Sequence, residues 1–178
     1  PSFDYTDEEW NDLISYFQQK DNLDLIYEDP HNFTLNSSSF KAGERIAEMG
    51  ACINCHFYGE EKPKQDALTW APNLVLTKER LRPEWLVEWF INPQDVMPGT
   101  KMPAPYIPTE EPQNSIREVW GSDVAKISRD STKLYKSLID WMWGMEGRKD
   151  VSTIVKRHLN SQGYGFIIEE EDDWGDEW

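Results

Sequence analysis

The chain has 178 residues, enough for one domain with appendages and a substantial core. Its net charge of −15 argues against nucleic acid as a partner, because phosphate contact rewards Lys and Arg, and points to partners with a basic surface. No apolar run approaches the length of a membrane span and no leader pattern is visible at the start, so a chain without a membrane span is expected.

Thr6 and Glu9 make the two ends of a capping box, which predicts a helix starting there. Trp10, Leu13, Ile14 and Phe17 follow at helical spacing as one apolar stripe, and the helix fades near Gln19 or Lys20. Residues 21–37 are polar, with Asp29-Pro30 and Asn36-Ser37-Ser38 as turn signals. They read as a linker, with His31 a surface residue. Ser38 or Ser39 caps a helix from Phe40 to Met49, with Phe40, Gly43, Ile46 and Ala47 on one face and Gly50 as its stop. Inside a helix Gly43 costs about 1 kcal/mol against Ala, and a close crossing with another helix is the physical reason for it.

Cys52-Ile53-Asn54-Cys55-His56 comes next and holds both cysteines of the chain. Two thiols at this spacing with a histidine directly after the second are what covalent c-type haem attachment needs. The thiols add across the vinyl groups of one porphyrin edge, and the imidazole ligates iron. A structural zinc site would need about four ligands, yet there is no second Cys pair, and His31 and His158 lie far off in sequence. A thioredoxin-like pair would want a βαβ context, which the pattern lacks. One haem c, covalently bound, is the favoured reading.

Residues 57–69 form a polar loop containing Lys62-Pro63-Lys64, and Ala71-Pro72-Asn73-Leu74 follows it. A helix is predicted from Arg80 to Asn92, with Pro83 in its first turn and Trp85, Leu86, Trp89 and Phe90 as a dense aromatic face. Such rings serve a core or a haem crevice equally well. Met97-Pro98-Gly99-Thr100-Lys101-Met102-Pro103 is a loop with two methionines and no helical or strand period. Residues 104–130 read as an insertion, rich in proline at Pro105, Pro108 and Pro112 and with helical character from Ile116 to Ile127. Asp130 or Ser131 caps a helix over 132–146, with Leu134, Leu138, Met142 and Met145 inward and Gly147 ending it. A short helix over 151–161 runs through Ile154, Val155 and Leu159 and carries His158 as a surface or packed residue. The seven acidic residues between Glu169 and Glu177 contribute −7 of the net charge and leave −8 for the rest. That run reads as a solvated tail in isolation, while Trp174 and Trp178 suit docking on a basic partner subunit.

Taken together, the Gly- and aromatic-bearing helix before the haem motif, the Ala71-Pro72-Asn73-Leu74 segment and the Gly99-Thr100-Lys101-Met102-Pro103 loop resemble class I c-type cytochromes. The resemblance covers residues 38–146. It departs at Ala71, where the family has Gly, and in the 104–130 insertion. It implies a mainly α fold, a few helices around one covalently bound haem, in which the helix of Phe40 and Gly43 crosses the last helix of the domain. It also implies that the Pro72 carbonyl accepts a hydrogen bond from the non-ligating nitrogen of His56, and that Met102 is the second axial ligand, with Met97 as the fallback. Pro1-x-Phe3 followed by the capping box and amphipathic helix is similar to the segment that ends such a domain. On that likeness the chain is the C-terminal part of a longer, multi-haem protein. The implied organisation is an N-terminal helix and linker (1–37), the haem domain (38–146) and a C-terminal extension with an acidic tail (147–178).

The function implied is electron transfer with His56/Met102 ligation, without catalysis by the chain itself. Two axial side chains leave iron no open position, and a thioether ligand raises the reduction potential relative to two histidines. The expected partners are redox proteins with basic surfaces, within a larger respiratory assembly on the periplasmic side of the bacterial inner membrane. Two rivals share the haem. One is a five-coordinate enzyme or gas sensor in which Met102 is off the iron; the other is a chiefly structural haem subunit of a membrane complex.

Overall fold

The computed structural model describes residues 5–21 and 31–168. Of these, 57% are helical and none lies in a strand; two isolated bridges, His56 with Ala71 and Tyr58 with Glu61, are the extended pairings. The chain divides into two compact units, residues 1–32 and 33–178.

In the first unit, α1 spans Asp7–Asp21. Its capping box forms as predicted: the Thr6 amide donates to Glu9 Oε2 at 2.8 Å, and the Glu9 amide donates back to Thr6 Oγ1 at 3.3 Å. Trp10, Leu13, Ile14 and Phe17 are all exposed. Most of the predicted linker, residues 22–30, lies outside the described residues, as do Pro1 to Asp4 and the acidic tail with Trp174 and Trp178.

The second unit opens with α2, Ser38–Met49. The cap is Ser37, one residue before those expected, and its hydroxyl accepts from the Phe40 amide at 3.1 Å. Ala42, Gly43, Ile46 and Ala47 turn inward. Gly50 ends the helix, and Ala51 takes the left-handed conformation that starts the next turn. α3, Thr77–Arg80, stands before the helix predicted over Arg80 to Asn92, which forms as α4, Pro83–Ile91. The break falls at Arg82, held extended because it precedes proline. After α5, Pro93–Val96, the 104–130 segment resolves into α6, Gln113–Val119, and α7, Ser122–Ile127, separated at Gly121 with φ of 90°.

α8, Ser131–Trp143, is capped by Asp130, whose carboxylate accepts from the Lys133 amide at 3.1 Å. It stops at Gly144, three residues earlier than predicted. α2, α3, α4 and α7 all pack on it. The crossing with α2 is close enough that a Cβ on Gly43 would lie 1.8 Å from the Ser137 carbonyl oxygen. The 104–130 segment belongs to this core. Ile116 and Val124 are fully buried, each stabilising by about 2 kcal/mol through loss of apolar surface to water. The Asp123 carboxylate accepts from Ser38 Oγ at 2.6 Å and ties α7 to the start of α2. α9, Ser152–Ser161, is the last helix of the described residues. Among the described residues no helix is long and apolar enough to cross a membrane.

Candidate functional site

Cys52–Asn54 is one tight 3-10 turn, entered through left-handed Ala51. The amides of Cys55 and His56 both donate to the Cys52 carbonyl, at 3.1 and 2.9 Å, so the two thiols and the imidazole are displayed from a single hydrogen-bonded loop. Residues 64–74 wrap that loop through four backbone bonds: Lys64 to Ile53, Gln65 to Asn54, Ala71 to Cys55 and Leu74 to Phe57. The Ala71 bond is the shortest, at 2.7 Å. Ala71 stands outside the left-handed region, so its methyl adds no backbone strain where the resembling family has glycine.

This wrapping sets Pro72 beside His56, and His56 Nδ1 lies 2.8 Å from the Pro72 carbonyl oxygen. A carbonyl can only accept, so Nδ1 carries the hydrogen and Nε2 keeps its lone pair. Burial pushes the imidazole below its ordinary value despite the opposing effect of the Pro72 bond. A neutral ring with one nitrogen anchored and the other basic is the state a metal ligand requires. Both thiols are free and half-buried. Burial pushes the Cys52 thiol up, and it raises the neighbouring Tyr58 hydroxyl as well.

Met102 and Met97 part company. Met97 is exposed, whereas Met102 is half-buried against the core. The Trp89 indole N–H donates to Met102 Sδ at 2.9 Å, and Trp89 stacks on Trp85 with ring centroids 5.0 Å apart. The aromatic face of α4 therefore splits. Leu86 and Phe90 enter the core, where Phe90 stacks on Tyr135 of α8, while Trp89 meets Met102 and Trp85 stacks on Trp89. Gln94 holds that loop from α5. It donates to the Thr100 carbonyl and accepts from the Gly99 amide at 3.3 Å. His56 and Pro72 are thus brought together with both cysteines in one loop, and Met102 is placed by a separate set of contacts.

The donor set fits a c-type haem: two free thiols on one turn, an imidazole with Nε2 uncommitted, and a thioether whose sulfur is positioned by an indole. Among the described residues no three His, Cys, Asp or Glu side chains gather to hold a metal ion. A groove of about 470 Å³ adjoins the cysteine loop at Ile53 and Asn54, lined also by Glu44 and Glu48 of α2, Trp141 near the end of α8, Tyr58 and Glu61. His31 belongs to the first unit and is not free of contacts there. His158 of α9 packs its ring on Trp70, centroids 4.6 Å apart.

Sequence reasoning assigned no role to Asn73, to Trp89 as a partner of Met102, or to Trp70 with His158. Each is a pairing between separate segments, which no local spacing signals. Comparison with known protein families, curated proteins and solved structures found no match.

Proposed function

We propose that this chain is an electron-transfer c-type cytochrome, carrying one haem bound through thioether bonds to Cys52 and Cys55, with His56 and Met102 as axial ligands. The observation that carries the reading is the hydrogen bond from His56 Nδ1 to the Pro72 carbonyl at 2.8 Å, formed directly after a loop of two free thiols. When bound, the haem supplies a one-electron Fe(III)/Fe(II) couple. The Pro72 carbonyl fixes the imidazole plane and makes Nε2 a stronger donor. The Met102 sulfur, soft and weakly basic, would favour Fe(II) as a ligand, and the Trp89 N–H restrains its direction. Trp89, stacked on Trp85, is the ring that meets the Met102 sulfur.

Redox partners with basic surfaces suit the charge of −15, and Glu44, Glu48 and Glu61 on the groove beside the cysteine loop support that choice. The setting proposed is a respiratory assembly on the periplasmic side of a bacterial inner membrane. Expression in a host with c-type maturation machinery tests the reading. Haem should stay on the chain in a denaturing gel and be lost on Cys52→Ala with Cys55→Ala. The ferric protein should show a weak far-red sulfur-to-iron band, and the ferrous protein should bind carbon monoxide poorly. Covalent haem with ready carbon monoxide binding and no far-red band would establish the five-coordinate rival; absence of covalent haem would end both.

A further inference from the structure

Asn73 follows Pro72 directly and is 4% exposed. Its carboxamide joins three segments distant in sequence. Oδ1 accepts from the Gly59 amide at 3.0 Å and from the Val75 amide at 3.3 Å. Nδ2 faces the carbonyls of Arg148 at 2.9 Å, Lys149 at 3.2 Å and Gly59 at 3.4 Å. Two hydrogens are shared among these three acceptors, with Arg148 the nearest. The backbones abut at the same place: a Cβ on Gly59 would lie 3.5 Å from Gly147 Cα and from the Arg148 nitrogen. Gly59 and Gly147 have φ of 62° and 134°, conformations that glycine adopts freely.

The residues after α8 hold the 57–74 loop at a second point as well. His158 of α9 packs on Trp70, and Trp70 meets Phe57 edge-on with centroids 5.2 Å apart. Outside, Lys149 pairs with Glu79, and Arg148 lies 3.8 Å from Glu60. Trp70 and Asn73 are the two anchor points, and Pro72, whose carbonyl holds His56, lies between them in the chain. Unlike the exposed pairs, the Asn73 contacts are directional and come from a buried side chain, so they can transmit position to the residue next door.

We propose that residues 147–161 form a clamp on the His56–Pro72 pair, with Asn73 as the positioning residue that couples the clamp to the imidazole. That the positioned ring is an axial ligand rests on the function proposed above. That Asn73 immobilises the Ala71–Leu74 segment does not.

The test is Asn73→Ala in the full chain, with two readouts. In hydrogen exchange, the amides of Ala71 and Leu74 should open about tenfold more readily, as expected for loss of one or two buried hydrogen bonds. In the oxidised haem-loaded protein, the spread of haem methyl resonances, which follows the orientation of the axial imidazole, should change while the far-red band persists. Ile46→Val, which lowers stability from the α2–α8 core, serves as the control and should leave that spread unchanged. If Asn73→Ala does not accumulate, Asn73→Asp retains the acceptor bonds and loses only the Nδ2 donors, which face Arg148, Lys149 and Gly59, and the same two readouts apply. Exchange at Ala71 and Leu74 equal to wild type would overturn the clamp. Faster exchange with an unaltered methyl spread would overturn the coupling to His56. A wild-type chain without covalent haem would overturn the electron-transfer reading, and the exchange readout would still decide the clamp.

Discussion

Replacing Gly43 by Ala probes the crossing on which the fold rests. A methyl there would stand 1.8 Å from the Ser137 oxygen, 2.4 Å from its carbonyl carbon and 2.9 Å from the Leu138 nitrogen. Carbon and oxygen need about 3.5 Å, so α2 and α8 would have to part by more than 1 Å. All three obstructing atoms are helix backbone, which leaves no rotamer by which to escape. A gap of that size forfeits a quarter to a half of the dispersion between the facing surfaces, here Ala42, Ile46 and Ala47 against Leu134 and Leu138. Overpacking of this kind costs about 3 kcal/mol, and the better helix propensity of Ala returns about 1 kcal/mol. The net loss of about 2 kcal/mol lowers the midpoint of a domain this size by about 4–8 °C. Thermal unfolding followed by far-UV circular dichroism measures it. Gly165→Ala, where nothing lies within 4 Å of the added carbon, is the matched control and should be neutral. A Gly43→Ala protein as stable as wild type would refute the close crossing.

Other outcomes follow from the site and its supports. Met102→Ala should abolish the far-red band and admit carbon monoxide in the ferrous protein, while Met97→Ala, at an exposed position, should change neither. Visible and near-infrared spectra decide between the two methionines. Trp89→Phe keeps the ring and removes the N–H that points at Met102 Sδ. A donor on the sulfur weakens its donation to Fe(III), so its loss should lower the reduction potential by about 40 mV, the equivalent of about 1 kcal/mol for a one-electron couple. Redox titration would show this, and an unchanged or higher potential would count against the contact. Asp123 is held below its ordinary value of 3.8 chiefly by its hydrogen bond to Lys126 and then by that to Ser38. A depressed carboxylate stabilises above the unfolded value and loses that contribution as pH falls through the folded one. Asp123→Asn should therefore be less stable than wild type at neutral pH, with the gap closing below about pH 4. Urea titrations across that range would reveal a gap that fails to close.

Local chemistry sufficed for whatever depends on neighbours in the chain. The capping box of Thr6 and Glu9, the inward face of α2, the need for close approach at Gly43 and the haem-type spacing of Cys52, Cys55 and His56 were all legible in the residues. Each depends on helical periodicity, on capping geometry or on reach within one turn. Helix ends were less legible. The cap moved to Ser37 because whichever hydroxyl reaches the first free amide takes the role, and α8 stopped at Gly144, where an added Cβ would meet the Phe40 ring at 2.4 Å. The start of α4 was written in Pro83 and the residue before it, and the aromatic pattern lies wholly within that helix.

What tertiary structure alone decided lies between segments. Met102 is half-buried and meets an indole from another helix while Met97 is exposed, a difference that no local spacing signals. Within residues 104–130, Ile116 and Val124 are buried in the core against apolar surface that no local pattern announces. Pro72 reaches His56 only because four backbone hydrogen bonds fold residues 64–74 around the cysteine loop. The sequence by itself determined the cofactor chemistry available, since thiols and imidazole within one turn need no folding to be neighbours. Packing decided how that chemistry is held, because orienting a ring or a sulfur takes contacts from residues far along the chain.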